Sequence, residues 1–319
     1  MNKKLSKFLS ITLPLLLGVF LIIYMYRHAT AKELADLKNS LRTADYTYVY
    51  ISLFVGLTGF WARAYRWKYT LAHLGYEVPF GVKFGAVCIT YIMNMFIPRS
   101  GEVSRAVALN KYAGVPFDKA FGTIIAERII DLILLVIVVA LTAALQFDAL
   151  KAYLDDIPFQ QLLFYGTVAG ILFIGSVLFF MYSKLGWVQK LKLKISGLTE
   201  GVLSAFKMPN KWPFLLLSLY IWFSYVLMFY VTIYALPETS GLDFGTVVTA
   251  FVIGSIVITF TNGGTGFFPF AISNILYVYG VPKSAGAAFG WIVWTSQTGQ
   301  ILFLGILSFL LLPILYRNK

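Results

Sequence analysis

Charge is scarce in this chain: only 13% of its residues are Asp, Glu, Lys or Arg, and the 14 acids are outnumbered by 26 bases. Cysteine is nearly absent. Cys88 stands alone, which excludes an internal disulfide and any cysteine-based metal site. Two histidines, His28 and His73, sit at no metal-ligand spacing. There is no Ser/His/Asp constellation, no phosphate-binding P-loop and no HExxH, so the common hydrolase, nucleotide-driven and zinc-enzyme classes have no signature here. No cofactor is expected. Long polar stretches are also missing. The longest, about 183–211, is a surface segment rather than a second soluble domain.

What is present is apolar chain. Hydrophobic residues make up 59% and mean hydropathy is +0.78. Several runs reach the roughly 20 residues that cross a bilayer, which makes this an integral membrane protein. Full spans are expected at about 8–26, 46–65, 120–145, 160–182, 212–235 and 285–312. The net charge of +12 is read as the cytoplasmic excess of Lys and Arg beside anionic lipid of the inner leaflet, and nucleic acid is not an expected partner. Ala29-Thr30-Ala31 loosely resembles a signal-peptidase site. The apolar run before it is long for a cleaved signal, and Arg27 and His28 intervene, so an uncleaved first helix is expected.

A motif occurs twice. The first copy is Pro98-Arg99-Ser100-Gly101-Glu102-Val103-Ser104-Arg105, followed by Gly-Val-Pro at 114–116; the second is Asn262-Gly263-Gly264-Thr265-Gly266-Phe267-Phe268-Pro269, followed by Gly-Val-Pro at 280–282. Shorter apolar stretches, 80–97 and 244–261, run into the two copies. Gly/Pro-broken hydrophobic segments at matching places are the mark of a transporter-type repeat. Each stretch is either a full crossing or the first arm of a re-entrant hairpin. Charge placement favours hairpins. With Lys3/Lys4/Lys7, Arg63/Arg66/Lys68, the lysines of 184–211 and Arg317/Lys319 inside, and the acidic connections 148–156 and 238–243 outside, about six full crossings plus two re-entrant hairpins satisfy the positive-inside rule. Both termini are then cytoplasmic. The repeats, about 46–145 and 212–312, are inverted within a single all-α transmembrane domain spanning 1–319. Eight full crossings would put Lys111, Lys119 and the basic 183–211 segment outside. Apolar and lysine positions in that segment alternate in the manner of an amphipathic stretch at the inner headgroup layer.

Arg99, Glu102 and Arg105 follow at i, i+3, i+6, near one face of a return helix over about 100–112, with Pro98 and Gly101 as the turn. Guanidinium forks suit phosphate oxygens; the same spacing also serves a staple in which the arginines neutralise Glu102. Glu127, Arg128 and Asp131 lie inside an apolar run, and ionisable groups there are functional candidates by default. An ion-pair network between Arg99/Arg105 and Glu127/Asp131 is expected, either as a gate or as a buried staple. The second copy has no such charges. Asn262, Gly263, Gly264, Thr265 and Gly266 offer backbone N–H groups to an anion or permit close helix packing. Gln297 aligns with Asp131, on a polar-aromatic wall with Trp291, Trp294 and Gln300. Arg63 and Arg66 read as snorkelling anchors at the inner end of their span.

The string Pro-Arg-x-Gly-Glu-x-x-Arg, Gly-Val-Pro and Glu-Arg-x-x-Asp over 98–131 resembles the lysylphosphatidylglycerol synthase transmembrane-region family, as does Asn-Gly-Gly-x-Gly at 262–266, with Asn262 where the family more often has Pro. The resemblance implies lipid handling in the bacterial cytoplasmic membrane: flipping of a phospholipid or glycolipid with a phosphate-bearing headgroup, aminoacylated and prenyl-linked lipids among the candidates. It implies a stand-alone member without the soluble aminoacyltransferase domain, and no enzyme. The rivals are a membrane enzyme acting on a lipid phosphate, with Glu102 or Glu127 as general base, and a non-transporting partner of one.

Overall fold

A computed structural model describes residues 16, 18–24, 26–97, 99–146, 208–261 and 263–316, with isolated positions between 167 and 189. The expected span at 160–182 and the amphipathic segment at 183–211 therefore lie almost wholly outside the described residues, as does the first part of 8–26. Among the described residues there are ten α-helices, one 3-10 turn and no strand.

Helix α1 spans Ala31–Thr43 and follows N-terminal helical residues at 18–24 and 26–28. A capping box starts α1: Thr30 Oγ1 accepts from Glu33 N, while Thr30 N and Oγ1 donate to Glu33 Oε2 at 2.7 and 2.9 Å. The Thr30 backbone N–H, then its hydroxyl, holds the Glu33 carboxyl below its ordinary value. This helix was not expected from sequence, being too short and charged to register as a span.

The helices then follow as α2 (Tyr46–His73), α3 (Phe80–Phe96), α4 (Ser100–Ala113), α5 (Phe117–Leu145), α6 (Lys211–Thr232), a 3-10 turn (Ile233–Ala235), α7 (Pro237–Ser240), α8 (Phe244–Phe260), α9 (Phe267–Val278) and α10 (Lys283–Tyr316). Among the described residues two helices, α6 with its 3-10 extension and α10, are long and apolar enough to cross a membrane. Helices α2 and α5, of 28 and 29 residues, match them in length. Asp45 and Asp243 cap α2 and α8 by accepting from the N–H groups of Thr47 and Thr246. Gly114, at φ +67°, closes α4 in the left-handed region where glycine alone is unstrained.

Small residues let the long helices approach. Gly56 and Gly59 of α2 meet Met228 and Ser224 of α6, and Ser52 Oγ donates to the Met228 carbonyl at 3.0 Å. Helix α10 is the spine on which two helical hairpins lie. Gly286 and Gly290 receive Ser273 and Pro269 of α9; Gly305 receives Ile92 of α3; Leu312 and Tyr316 lie against Gly85 and Gly81. The α3–α4 hairpin thus has its base at the C-terminal end of α10, and the α8–α9 hairpin has its base at the N-terminal end. Their tips meet between: Trp294 Nε1 donates to the Gly263 carbonyl at 2.7 Å, and a Cβ on Gly263 would stand 3.4 Å from Met95 Cγ.

One core cluster joins α2, α6, α8, α9 and α10 around Phe229, Phe251, Phe268 and Phe289. A second joins α2 to α5 around Trp67, Leu109 and Ile124, with Leu312 of α10.

Candidate functional site

Arg63 and Arg66 lie one turn apart on α2, and Glu127 and Asp131 one turn apart on α5, so each helix presents a charged pair on one face. Arg63 Nη1 donates to Asp131 Oδ2 at 2.8 Å, and Arg66 Nη1 to Asp131 Oδ1 at 2.8 Å. Arg66 Nη2 reaches Glu127 Oε2 at 3.3 Å, where Arg105 Nη1 of α4 also donates at 2.9 Å. Arg128 approaches Asp131 at 3.4 Å from the same helix. Helix α6 completes the site: its Ser218 Oγ accepts from Arg66 Nη1 at 2.9 Å, and its Tyr225 hydroxyl from Arg63 Nη2 at 3.0 Å. Tyr225 also shares a 2.7 Å hydrogen bond with Tyr91 of α3.

Apart from Arg128, the charged groups of the network are withdrawn from solvent. Arg66 and Glu127 are 0% exposed, Arg105 1%, Arg63 3% and Asp131 8%. Aromatic faces pack the guanidiniums: Arg105 Cζ lies 3.7 Å from the Trp67 ring centroid, and Trp67 Nε1 is fixed by donation to Thr123 Oγ1 at 2.8 Å. Three buried guanidiniums, those of Arg63, Arg66 and Arg105, share two carboxylates, leaving a buried excess of one positive charge, with the partly exposed Arg128 at its edge. Arg105 Nε and Nη2 and the Nε of Arg63, Arg66 and Arg128 have no hydrogen-bond partner; nor does Glu127 Oε1. Burying unpaired N–H donors beside surplus cationic charge is costly unless an acceptor arrives.

Of the expected site residues, Arg105, Glu127, Arg128 and Asp131 come together in the network. Arg99 does not join it. Arg99 is exposed at the tip of the first hairpin with φ +61°, the one non-glycine residue at positive φ among those described. It therefore supplies the turn. Gly101, expected there, lies inside α4, where its N–H donates to Asn94 Oδ1 at 2.7 Å and its missing side chain lets α4 close on the Thr90 carbonyl. Glu102 is half-buried. Its Oε1 accepts from Asn94 Nδ2 at 3.4 Å and its Oε2 is buried without a partner.

Gly263, Gly264 and Gly266 form the second tip at φ +65°, +73° and +71°. Thr265 and Gly266 lie against the backbone of Gly18, so the N-terminal helical stretch crosses that tip. Asn262 lies outside the described residues. Gln297 is half-buried on α10 and takes no part in the ion-pair network.

The principal correction concerns Arg63 and Arg66. They are not anchors at a helix end but the centre of the network. Helix α2 continues to His73, which leaves them well inside it. Their signal was the i, i+3 spacing within Trp-Ala-Arg-Ala-Tyr-Arg-Trp, matched by the carboxylates of α5. Tyr91, Ser218 and Tyr225 carried no signal beyond lying in apolar spans.

Helices of membrane length, hairpins laid end to end and buried ionic side chains define a polytopic α-helical membrane protein with a charged interior. The sequence signature of the family described as Lysylphosphatidylglycerol synthase TM region matches residues 11–305, and the chain belongs to that family. No curated protein and no solved structure matches it.

Proposed function

We propose that this protein moves a phosphate-bearing lipid headgroup across the bacterial cytoplasmic membrane, with the acyl or prenyl chains remaining in lipid. The observation that carries this reading is the buried surplus of one guanidinium charge with Arg105 N–H groups left unpartnered. A phosphate oxygen supplies the missing charge and the missing acceptor together. Family membership supports lipid handling as the general role.

The path runs between two re-entrant hairpins in an inverted repeat. Helix starts at 46, 80, 100 and 117 recur at 211, 244, 267 and 283, about 165 residues later each time. The hairpin arms, of 17, 14, 17 and 12 residues, are shorter than the roughly 20 residues of a full crossing. They approach from opposite ends of α10, independently of any charge count. The glycine tip at 263–266 forms the gate opposite Arg99 and Glu102. Both termini are assigned to the cytoplasm and no chemical step to the protein.

The test is flipping of chemically quenchable phospholipids in proteoliposomes, comparing the native chain with Arg105→Gln. Native flipping that the variant abolishes, with the variant folded, is the expected result. A native protein that flips no anionic, zwitterionic, aminoacylated or prenyl-phosphate lipid would falsify the reading. One observation favours a second reading, an enzyme acting on a lipid phosphate: Oε2 of Glu102 is buried without a partner and so is a candidate general base. Turnover of lipid by detergent-solubilised protein, lost in Glu102→Gln, would establish that instead.

A further inference from the structure

A cavity of about 450 Å³ lies between the N-terminal helical stretch, α1, α9 and the beginning of α10. Its size is that of small-molecule sites. None of the network residues lines it; its apolar wall is formed by Ile22, Leu34, Leu37, Phe270 and Trp291.

Two side chains of opposite charge face this cavity from different elements: Glu33 of α1 and Lys283, the first residue of α10. Neither forms an ion pair with any described residue. The Glu33 carboxylate is preset, because both Thr30 donors go to Oε2 and Oε1 is left open. Lys283 Nζ rests over the Tyr277 ring at 4.8 Å. A long lysine side chain closes easily on a nearby carboxylate; here both line the cavity without forming an ion pair with each other. Asn274 and His28 add polar edges. His28 Nδ1 lies 2.9 Å from the Tyr24 carbonyl and donates to it, which leaves Nε2 free on the ring.

A bare anion entering this cavity meets the Glu33 charge, and a bare amine meets that of Lys283. A ligand carrying both charges a few atoms apart satisfies each, with the apolar wall left for hydrocarbon. We propose that this cavity binds a zwitterionic amine–phosphate group, its ammonium on Glu33 and its phosphate on Lys283. The site is separate from the ion-pair network and needs no transport to be occupied.

Quenching of Trp291 fluorescence tests the assignment on the full chain in nanodiscs, using phosphatidylethanolamine or phosphatidylglycerol brominated on the acyl chains. The difference between the native protein and Trp291→Phe isolates the signal of the cavity. Phosphatidylethanolamine is expected to quench Trp291 at lower mole fraction than phosphatidylglycerol. Glu33→Gln, which keeps the capping hydrogen bonds, and Lys283→Gln are each expected to weaken its binding about tenfold, the scale of one charge-assisted hydrogen bond. Glu33→Lys is expected to reverse the preference toward phosphatidylglycerol. Soluble phosphoethanolamine that displaces the brominated lipid shows that the free headgroup suffices; failure to displace it assigns the site to the membrane lipid. Equal quenching by both lipids, unchanged in Glu33→Gln and with no effect of soluble phosphoethanolamine, would overturn the proposal. Lipid flipping is not read in this experiment, so its outcome is distinct from the fate of the transport reading.

Discussion

Glu127 is the side chain on which α2, α4 and α5 converge, since a single oxygen accepts from both Arg66 and Arg105. Glu127→Gln leaves the buried Arg105 guanidinium without its carboxylate partner and removes one of the two that Arg66 has. Breaking a buried pair from one side costs about 3–5 kcal/mol, so a large fall in the unfolding midpoint in detergent is expected. The double variant Glu127→Gln/Arg105→Gln is expected to recover part of that loss; an additive loss would show that the two do not act as a pair. Arg99 makes the opposite case. Held at φ +61° without a glycine's freedom, it stores backbone strain. Arg99→Gly is expected to leave stability unchanged or raised by up to about 1 kcal/mol and to slow flipping, because the exposed guanidinium at the tip is lost. Full flipping in a stable Arg99→Gly protein would remove Arg99 from the headgroup path. The carboxylates and Arg105 were legible in the sequence because charge inside an apolar run is conspicuous. Arg63 and Arg66 were hidden because charge near the end of an apolar run ordinarily marks the membrane surface, and only the fold shows that α5 brings acids to meet them.

At the scale of elements, the apolar runs placed several helices well. The expected segments 80–97, 212–235 and 244–261 correspond to α3, α6 with its 3-10 turn, and α8 within a few residues. The span expected at 46–65 stopped short because Arg63, Arg66 and Lys68 reduce local hydropathy, although the α2 backbone continues to His73. The end-to-end arrangement of the hairpins could not be read, because it depends on which helix each glycine touches. Those contacts give a prediction. A Cβ at Gly290 would stand 2.8 Å from Pro269 Cα, and one at Gly305 would stand 2.7 Å from Ile92 Cβ, whereas one at Gly299 meets nothing within 4 Å. Gly299→Ala is expected to be neutral or to stabilise by about 0.5–1 kcal/mol through helix propensity. Gly290→Ala and Gly305→Ala must push their hairpins off α10, with an expected loss of about 1–3 kcal/mol from overpacking. Thermal unfolding of the three variants in detergent ranks them, and a Gly290→Ala protein as stable as Gly299→Ala would contradict the packing.

Across the whole molecule the two halves repeat an order of helices and divide their chemistry. The first half contributes the arginines and carboxylates of α2, α4 and α5. At the matching place the second half has aromatic packing, with Phe229 lying 5.1 Å from the Phe289 ring and 6.0 Å from that of Phe251. A half that carries buried ion pairs set against an aromatic-packed half fits the proposed gate, provided the hairpins enter from opposite faces of the membrane. The charge count behind that orientation is weaker than it first appeared, since Arg63 and Arg66 are committed to the interior. The contacts along α10 replace it: the base of one hairpin lies beside Tyr316 and that of the other beside Gly286. Lys111 and Val278, both exposed, sit near the ends of the return arms α4 and α9. In a Cys88→Ser background, Lys111→Cys and Val278→Cys are therefore expected to react with a membrane-impermeant maleimide from opposite sides, Lys111→Cys from the cytoplasmic face of inverted vesicles and Val278→Cys in intact cells. Eight full crossings would place both positions outside, so labelling of both in intact cells would replace the hairpins with spanning helices and leave the inverted repeat without support.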